Sequence, residues 1–300
     1  MDTPQEIRLN TRQGRLAGLG WRVESAPRVL CLHGWLDNAA SFAPLAAELK
    51  ELDVVALDLP GHGYSEHRHS TTRYHFIDYL FNIDAALDAL GWDDCHLVGH
   101  SLGAAISAVY GAGAPERVRS LVLLDSLGPI SVTAEGTADR LRRSLAKNRR
   151  GNSKVRRFES IDQMVNARRS VTGLSESAAR LICERAARQV DDHFEWRSDP
   201  ALNWVSSLVM TDEQAMDLVQ HIDTPILTFT ATEESPWSSR AKHEARRRAM
   251  VHGRHISLEG HHHFHMDDPG RIAETIREFI LENDQPNPTT QNREPHEQAD

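Results

Sequence analysis

The chain has 300 residues, of which 40% are hydrophobic, so it is long enough to bury the core of one large domain. Its 43 acidic residues outnumber its 34 lysines and arginines, which gives a formal net charge of −9. This charge argues against a general nucleic-acid or anionic-membrane binder, because phosphate-rich surfaces attract basic proteins. No apolar run approaches the roughly 20 residues of a membrane span.

The N-terminal segment and the cysteines indicate the cellular compartment. Residues 1–10 are polar, whereas a secretory signal has a basic start and an apolar stretch of about 7–15 residues. Cys31, Cys95 and Cys183 are odd in number, far apart and flanked by apolar residues. They are typical of reduced core thiols rather than of a disulfide framework. We therefore expect a cytoplasmic protein.

In chain order, the first part of the sequence predicts a sheet that opens with a hairpin and continues with buried strands. Two partly alternating segments, 6–9 and 16–23, flank a turn at 13–14. Short apolar runs without alternation, as in strands buried on both faces, then occur at 28–32, 53–57, 95–98 and 121–124. Apolar residues at helical spacing occur between or after these runs at 42–52, 74–90 and 102–112. The pattern predicts an α/β fold with a doubly wound, mostly parallel sheet.

The same alternation of strand and helix returns near the end of the chain. Residues 225–229 and 255–258 are predicted strands, and 269–281 is a predicted closing helix with Ile272, Ile276 and Phe279 on one side. We assign this block, residues 222–282, to the same core as residues 1–127. Residues 283–300 contain three prolines and no large aliphatic or aromatic residue, and we expect this tail to be disordered.

Residues 128–221 are predicted to form a helical cap inserted after the sixth strand. Within 131–221 there is no convincing strand pattern, and helical patterns include 175–190, which begins at Ser175. The stretch 138–190 carries 14 basic and 5 acidic side chains. A solvated helical face explains this charge, and so does a positive lip that draws anionic substrates towards a site beneath it.

The most informative motif is Gly99-x-Ser101-x-Gly103, which lies between a predicted buried strand and a predicted helix. A serine at such a sharp turn points its hydroxyl above the sheet, and small neighbours are needed because the backbone segments approach closely. The context therefore predicts a nucleophile elbow rather than a chance match.

A serine hydroxyl is a weak nucleophile, so this hypothesis requires a histidine base and an acid that orients it. The segment 258–269 follows the last predicted strand and contains four histidines. It lies at the same edge of the predicted sheet as Ser101. One of these histidines is expected to reach the serine.

These motifs resemble the α/β-hydrolase superfamily, and the resemblance covers about residues 8–281. Leu32-His-Gly-Trp35 resembles the His-Gly-x signature of the family, in which the x residue offers a backbone N–H to the oxyanion. The resemblance therefore implies that the N–H groups of Trp35 and Leu102 hold the oxyanion. It also assigns their motif neighbours Gly34 and His100 to the oxyanion and substrate-binding site. Residues 58–65 are similar to the family turn D-x-P-G-x-G-x-S, which has a structural role.

The final loop resembles the family pattern G-x-H-x-x-H-x-x-x-P, in which the catalytic histidine lies seven residues before the proline. The resemblance thus implies His262 as the base, with His265 as the second histidine and Pro269 as the proline. Within the superfamily, the motifs are most similar to those of the serine hydrolase-like proteins. A serine at the elbow also argues against dehalogenase or epoxide hydrolase activity, because those relatives use an aspartate there.

Two positions compete for the triad acid. Asp125 ends a strand 24 residues beyond Ser101, a placement that resembles the haloalkane dehalogenases. The more usual family position follows the next strand, where Glu234 stands with Glu233 beside it. This second segment lacks the usual glycine and aspartate of the family. We prefer Asp125, although a polar residue that satisfies nearby loop amides would also explain it.

The resemblance implies a carboxylesterase-like hydrolase that acts on small or medium esters, thioesters or lactones, without cofactor or metal, as a monomer or homodimer. C–C bond hydrolysis and peroxidation occur on the same scaffold. A metallohydrolase is an alternative, because His263-x-His265-x-Asp267 has the spacing of some metal sites. A ligand-binding protein with slow or no turnover is another.

Overall fold

A computed structural model of the protein describes residues 3–69, 72–149, 155–204, 206–233, 240–251 and 253–285. Its strands are β1 Gln5–Thr11, β2 Gly14–Trp21, β3 Arg28–Leu32, β4 Asp53–Asp58, β5 Cys95–His100, β6 Val118–Leu124, β7 Ser131–Val132, β8 Ala187–Val190, β9 His193–Trp196, β10 Met210–Thr211, β11 Ile226–Ala231 and β12 Gly253–Leu258. Its α-helices are α1 Ala43–Ala46, α2 Asp78–Leu90, α3 Leu102–Gly113, α4 Thr137–Arg149, α5 Ile161–Thr172, α6 Glu176–Ala186, α7 Asp212–Gln220, α8 Arg240–Ala249, α9 Phe264–Asp267 and α10 Gly270–Glu282.

An eight-stranded sheet in the order β1-β2-β4-β3-β5-β6-β11-β12 forms the centre of the molecule. The pairs β1–β2 and β2–β4 are antiparallel, and the other pairs are parallel. The predicted opening hairpin and doubly wound parallel sheet are confirmed. Because β4 and β5 are buried along their whole length, both faces of the sheet must be covered.

Two apolar clusters cover the two faces of this sheet. One contains Ile83 and Leu87 of α2 together with Ile106 of α3. The other contains Ile272, Ile276 and Phe279, the predicted inward face of the closing helix α10. The three cysteines are free and buried within the core and α6. No helix among the described residues has the length and apolar character needed to cross a lipid bilayer.

The predicted helix over 42–52 is much shorter in the structure. Only a 3₁₀ turn at Ala39–Phe42 and the single-turn helix α1 form there. The backbone after α1 continues with three-residue hydrogen bonds, such as Leu52 N–H to Leu49 O at 3.0 Å. The chain then enters β4, and this leaves too few residues for a longer helix.

The expectation that residues 131–221 contain no strands is wrong. The short strands β7 and β10 pair in parallel, and β8 and β9 form an antiparallel hairpin. The helix predicted over 175–190 begins where expected, since the Ser175 hydroxyl accepts a hydrogen bond from Ala178 N–H at 3.2 Å. It ends at Ala186, however, because the next residues pair across a tight turn in which Asp191 has a φ of 51°.

Buried ion pairs attach the inserted segment, residues 131–221, to the sheet. Arg185 of α6 donates to both oxygens of Asp58 at the end of β4, at 2.7–3.0 Å, and the Arg185 side chain is only 6% exposed. It also pairs with Glu6 on β1. Arg168 pairs with Asp37 in the loop after β3. These two of the 14 basic residues therefore hold the segment on the core rather than meeting an incoming substrate.

Gly103→Ala is expected to destabilise the protein by about 3 kcal/mol or more, because it overpacks a rigid contact. A Cβ at Gly103 would lie 1.8 Å from Leu32 O, and this backbone atom belongs to the central strand β3. Gly113→Ala at the other end of α3 is the matched control, since a Cβ there meets no atom of the described residues within 4 Å. Urea unfolding of both variants measures the difference, and equal stability would contradict the close approach.

Candidate active site

Ser101 lies at the junction of β5 and α3 in a strained conformation, with φ 52° and ψ −111°. Its backbone N–H donates to Leu124 O at 2.9 Å, and this bond fixes the turn against β6. A side chain at Gly99 would collide with the first turn of α3, since its Cβ would lie 2.5 Å from Ala104 N. Small residues are therefore required on steric grounds around Ser101, as in a nucleophile elbow.

His262 and Asp125 meet at the same sheet edge. His262 Nδ1 lies 2.5 Å from Asp125 Oδ2, although the two residues are 137 positions apart. The other carboxylate oxygen of Asp125 accepts a hydrogen bond from Ala231 N–H at 2.8 Å. The Asp125 N–H also donates to Phe229 O at 2.8 Å, so backbone and side chain of Asp125 are both held by β11.

The environment of Asp125 favours its ionised form. Burial alone raises the pKa of Asp125, but the hydrogen bond and charge of His262, with the Ala231 N–H, outweigh burial. The pKa of Asp125 therefore lies below its usual value. A carboxylate in this state can hold His262 in one orientation and stabilise its protonated form.

Glu234, the competing acid, lies outside the described residues. Its neighbour Glu233 is exposed, and its N–H donates to Gly260 O at 3.1 Å. Of the two candidate acids, Asp125 is the one for which the structure gives a contact with His262.

The loop after β3 carries Gly34 and Trp35 next to the start of α3. Gly103 N–H donates to His33 O at 3.1 Å, which ties this loop to the elbow. Leu102 is the first residue of α3, so its N–H is one of the four that have no acceptor within a helix. Trp35 thus lies two residues after His33, and Leu102 directly precedes Gly103, so both stand next to the bond that joins loop and elbow.

Two histidines that the sequence analysis did not single out shape this loop. His33 Nδ1–H donates to Gly34 O at 2.7 Å, and its Nε2 accepts from Leu59 N–H at 2.9 Å. His62 Nε2 accepts from Leu36 N–H at 3.1 Å. Burial lowers the pKa of both rings, to about 3 for His62, so both are neutral and can accept these bonds. His33 lies in the His-Gly-x segment and His62 in the turn at 58–65, so these two motifs were the sequence signal that could have pointed to both histidines.

The assignment of His100 to substrate binding needs correction. Its side chain is fully buried, and its Nε2–H donates to His262 O at 3.0 Å, so it supports the loop of His262. Burial is the main reason that the pKa of His100 falls to about 4. The neighbouring Gly34 permits this packing, because a Cβ there would lie 2.9 Å from His100 Nδ1.

The H-x-H-x-D residues do not converge as a metal site. Asp267 lies 3.0 Å from His261 Nε2, and the rings of His263 and His265 are 6.1 Å apart. His265 is fully buried with its ring 4.1 Å from that of His100. In the part of the chain that the structure describes, the potential metal ligands that converge are Asp37, His100 and His263.

Comparison with known proteins agrees with the fold. Residues 27–258 match the family model described as alpha/beta hydrolase fold. A serine hydrolase-like protein of Danio rerio is 28% identical over 293 residues, which cover 92% of this chain and 88% of that protein. Serine hydrolase-like protein 2 of Homo sapiens is 26% identical over 299 residues, covering 92% and 93%. The crystal structure of a hypothetical protein from Pseudomonas aeruginosa superposes with a TM-score of 0.85 at 29% identity, covering 92% of this chain and 99% of that one.

Proposed function

The chain belongs to the α/β-hydrolase family, close to the serine hydrolase-like proteins, and from this premise we propose that it hydrolyses small or medium carboxylic esters through an acyl-enzyme on Ser101. Thioesters and lactones present the same electrophilic carbonyl and belong to the proposed substrate class. The observation that carries the proposal is the 2.5 Å contact between His262 Nδ1 and Asp125 Oδ2 at the edge where the strained Ser101 stands.

In the proposed mechanism, His262 acts as the general base. Because its Nδ1 proton is bonded to the Asp125 carboxylate, its Nε2 carries the lone pair and can take the proton of Ser101 Oγ. The Oγ atom attacks the acyl carbonyl, and the protonated His262 then donates its proton to the leaving alcohol. A water molecule repeats the sequence at the acyl-enzyme, and this releases the carboxylic acid.

The negative charge of the tetrahedral intermediate needs donors that are already in place. The proposed donors are the backbone N–H groups of Trp35 and Leu102. Loss of one such donor typically lowers kcat by about 10²–10³-fold. The rings of His33 and His62 therefore gain an indirect role in the proposal, since they hold the backbone on either side of Trp35.

Hydrolysis of a chain-length series of p-nitrophenyl esters tests the proposal, together with labelling by a fluorophosphonate probe. We expect turnover of the short and medium esters and covalent labelling at Ser101. Ser101→Ala should be inactive with or without EDTA, because no step of the proposed mechanism uses a metal. Loss of hydrolysis in EDTA with recovery on adding zinc, together with a Ser101→Ala variant as active as the wild type, would contradict the serine mechanism.

The same experiment can also overturn the assignment to hydrolysis. Absence of turnover on every ester and of labelling in folded protein would favour a ligand-binding member of the fold instead. Circular dichroism of the same sample shows whether the protein is folded.

A further inference from the structure

Three buried side chains that the proposed mechanism does not use meet behind His262. Asp37 comes from the loop after β3, His100 ends β5, and His263 precedes α9; their exposed fractions are 3%, 0% and 5%. One potential ligand atom from each lies within 4.8 Å of the others. Asp37 Oδ2 is 3.6 Å from His100 Nδ1 and 3.5 Å from His263 Nε2.

The hydrogen bonds around His100 leave two buried acceptor atoms facing each other. Its Nε2 faces His262 O, and a carbonyl oxygen can only accept, so Nε2 carries the proton. In the neutral ring, Nδ1 then presents a lone pair to Asp37 Oδ2, which is also an acceptor. Within the described part of the chain, neither atom has a hydrogen-bond donor. Two buried acceptors in contact are costly unless a proton or a metal ion lies between them.

The spacing of these atoms suits a small transition-metal ion. Zinc binds histidine nitrogen and carboxylate oxygen at about 2.0–2.2 Å, which places neighbouring ligand atoms of a tetrahedral site roughly 3.4 Å apart. The two distances from Asp37 Oδ2, 3.5 and 3.6 Å, need only a few tenths of an ångström of adjustment, whereas the two histidine nitrogens, which lie within 4.8 Å of each other, would have to move closer by up to about 1.4 Å. Histidine nitrogen and carboxylate oxygen are also among the usual ligands of zinc.

Partners of the three residues hold the ligand atoms in this orientation. Arg168 donates to Asp37 Oδ1, which turns Oδ2 towards the two histidines. The bond from His100 Nε2–H to His262 O fixes the ring so that Nδ1 faces Asp37. Such outer contacts are typical of metal ligands. The positive charge of Arg168 opposes a second cation, so the site should bind less tightly than a closed structural zinc site.

We propose that Asp37, His100 and His263 form a binding site for a divalent transition metal of the zinc class. The ion would join the loop after β3, the end of β5 and the loop of His262, so its role is to position these loops rather than to act on substrate. This inference does not depend on the proposed ester hydrolysis, because metal binding is measured without any substrate.

Isothermal titration of the full chain with Zn²⁺, after removal of metal by a chelator, tests the site. We expect one ion per chain and a rise in Tm at saturating zinc, since a ligand that binds only the folded state stabilises it. His263→Gln and Asp37→Asn should each weaken zinc binding at least tenfold. His221→Gln is the control, because His221 is an exposed histidine whose ring contacts Asp217 of α7 rather than the proposed ligands.

Cobalt gives a second readout that needs no variant. Co²⁺ bound to the wild type at this site should show the intense visible absorption of a four- or five-coordinate ion. Saturable binding that survives both His263→Gln and Asp37→Asn would place the ion elsewhere and overturn the proposal. Absence of saturable zinc binding in the wild type, or a cobalt spectrum like that of the hydrated ion, would do the same.

Discussion

Ser101→Ala is expected to lower kcat for ester hydrolysis by about 10⁴-fold or more, with a much smaller change in KM. The substitution removes the atom that forms the acyl-enzyme, while the substrate contacts and the oxyanion donors remain. The methyl group of alanine fits the same turn, so the stability of the protein should change little. Steady-state kinetics on the best p-nitrophenyl ester measure the loss.

Ser107→Ala is the matched control for this prediction. Ser107 lies on the same helix α3, and its hydroxyl donates to Gly103 O at 2.8 Å within that helix. We expect this variant to keep nearly full activity. If purified Ser101→Ala kept substantial activity, the nucleophile would have to be another group.

Asp125→Asn is expected to lower kcat by about 10⁴-fold, as loss of the acid does in other serine triads. An asparagine can turn its NH₂ group towards His262 Nδ1 and so favour the tautomer that carries its proton on Nε2. That tautomer cannot accept the proton of Ser101. Because asparagine has nearly the same shape as aspartate, it can still accept the bond from Ala231 N–H, which keeps the loop in place.

Glu234→Gln distinguishes the two candidate acids. We expect this variant to retain most of the wild-type kcat, since the contact of Asp125 with His262 already supplies the orienting carboxylate. A larger loss in Glu234→Gln than in Asp125→Asn would assign the acid to Glu234. Thermal unfolding of both variants shows whether a loss of activity comes from a loss of folded protein.

Much of the fold could be predicted because its signals are local. The runs that form β3, β4 and β5 lack alternation, since parallel strands are buried on both faces, and their predicted positions agree with the structure within two residues. The hairpin β8–β9 was missed because helical spacing over four residues cannot be told from a short strand. Phe194 of this hairpin also pairs with Phe158, and no local pattern indicates this contact because the two residues lie far apart in sequence.

The candidate site also has features that local sequence predicts and features that depend on the tertiary structure. Glycine spacing around Ser101 is a local steric requirement, so the sequence alone predicted the elbow and the elements on either side of it. Whether His100 meets substrate or supports the His262 loop depends on burial, which no local pattern encodes. Its contact with His262 O crosses 162 positions of the chain.

By itself, the sequence determined the βα order of the core, the strained serine and the histidine-rich loop at the same sheet edge. Only the tertiary structure brought Asp125 to His262 and assembled Asp37, His100 and His263. The physical reason is that these contacts depend on which strands are neighbours. The β6–β11 pairing sets Asp125 beside Ala231, and the β3–β5 pairing sets Asp37 near His100. Strand order is decided by packing of the whole sheet, beyond the reach of any local pattern.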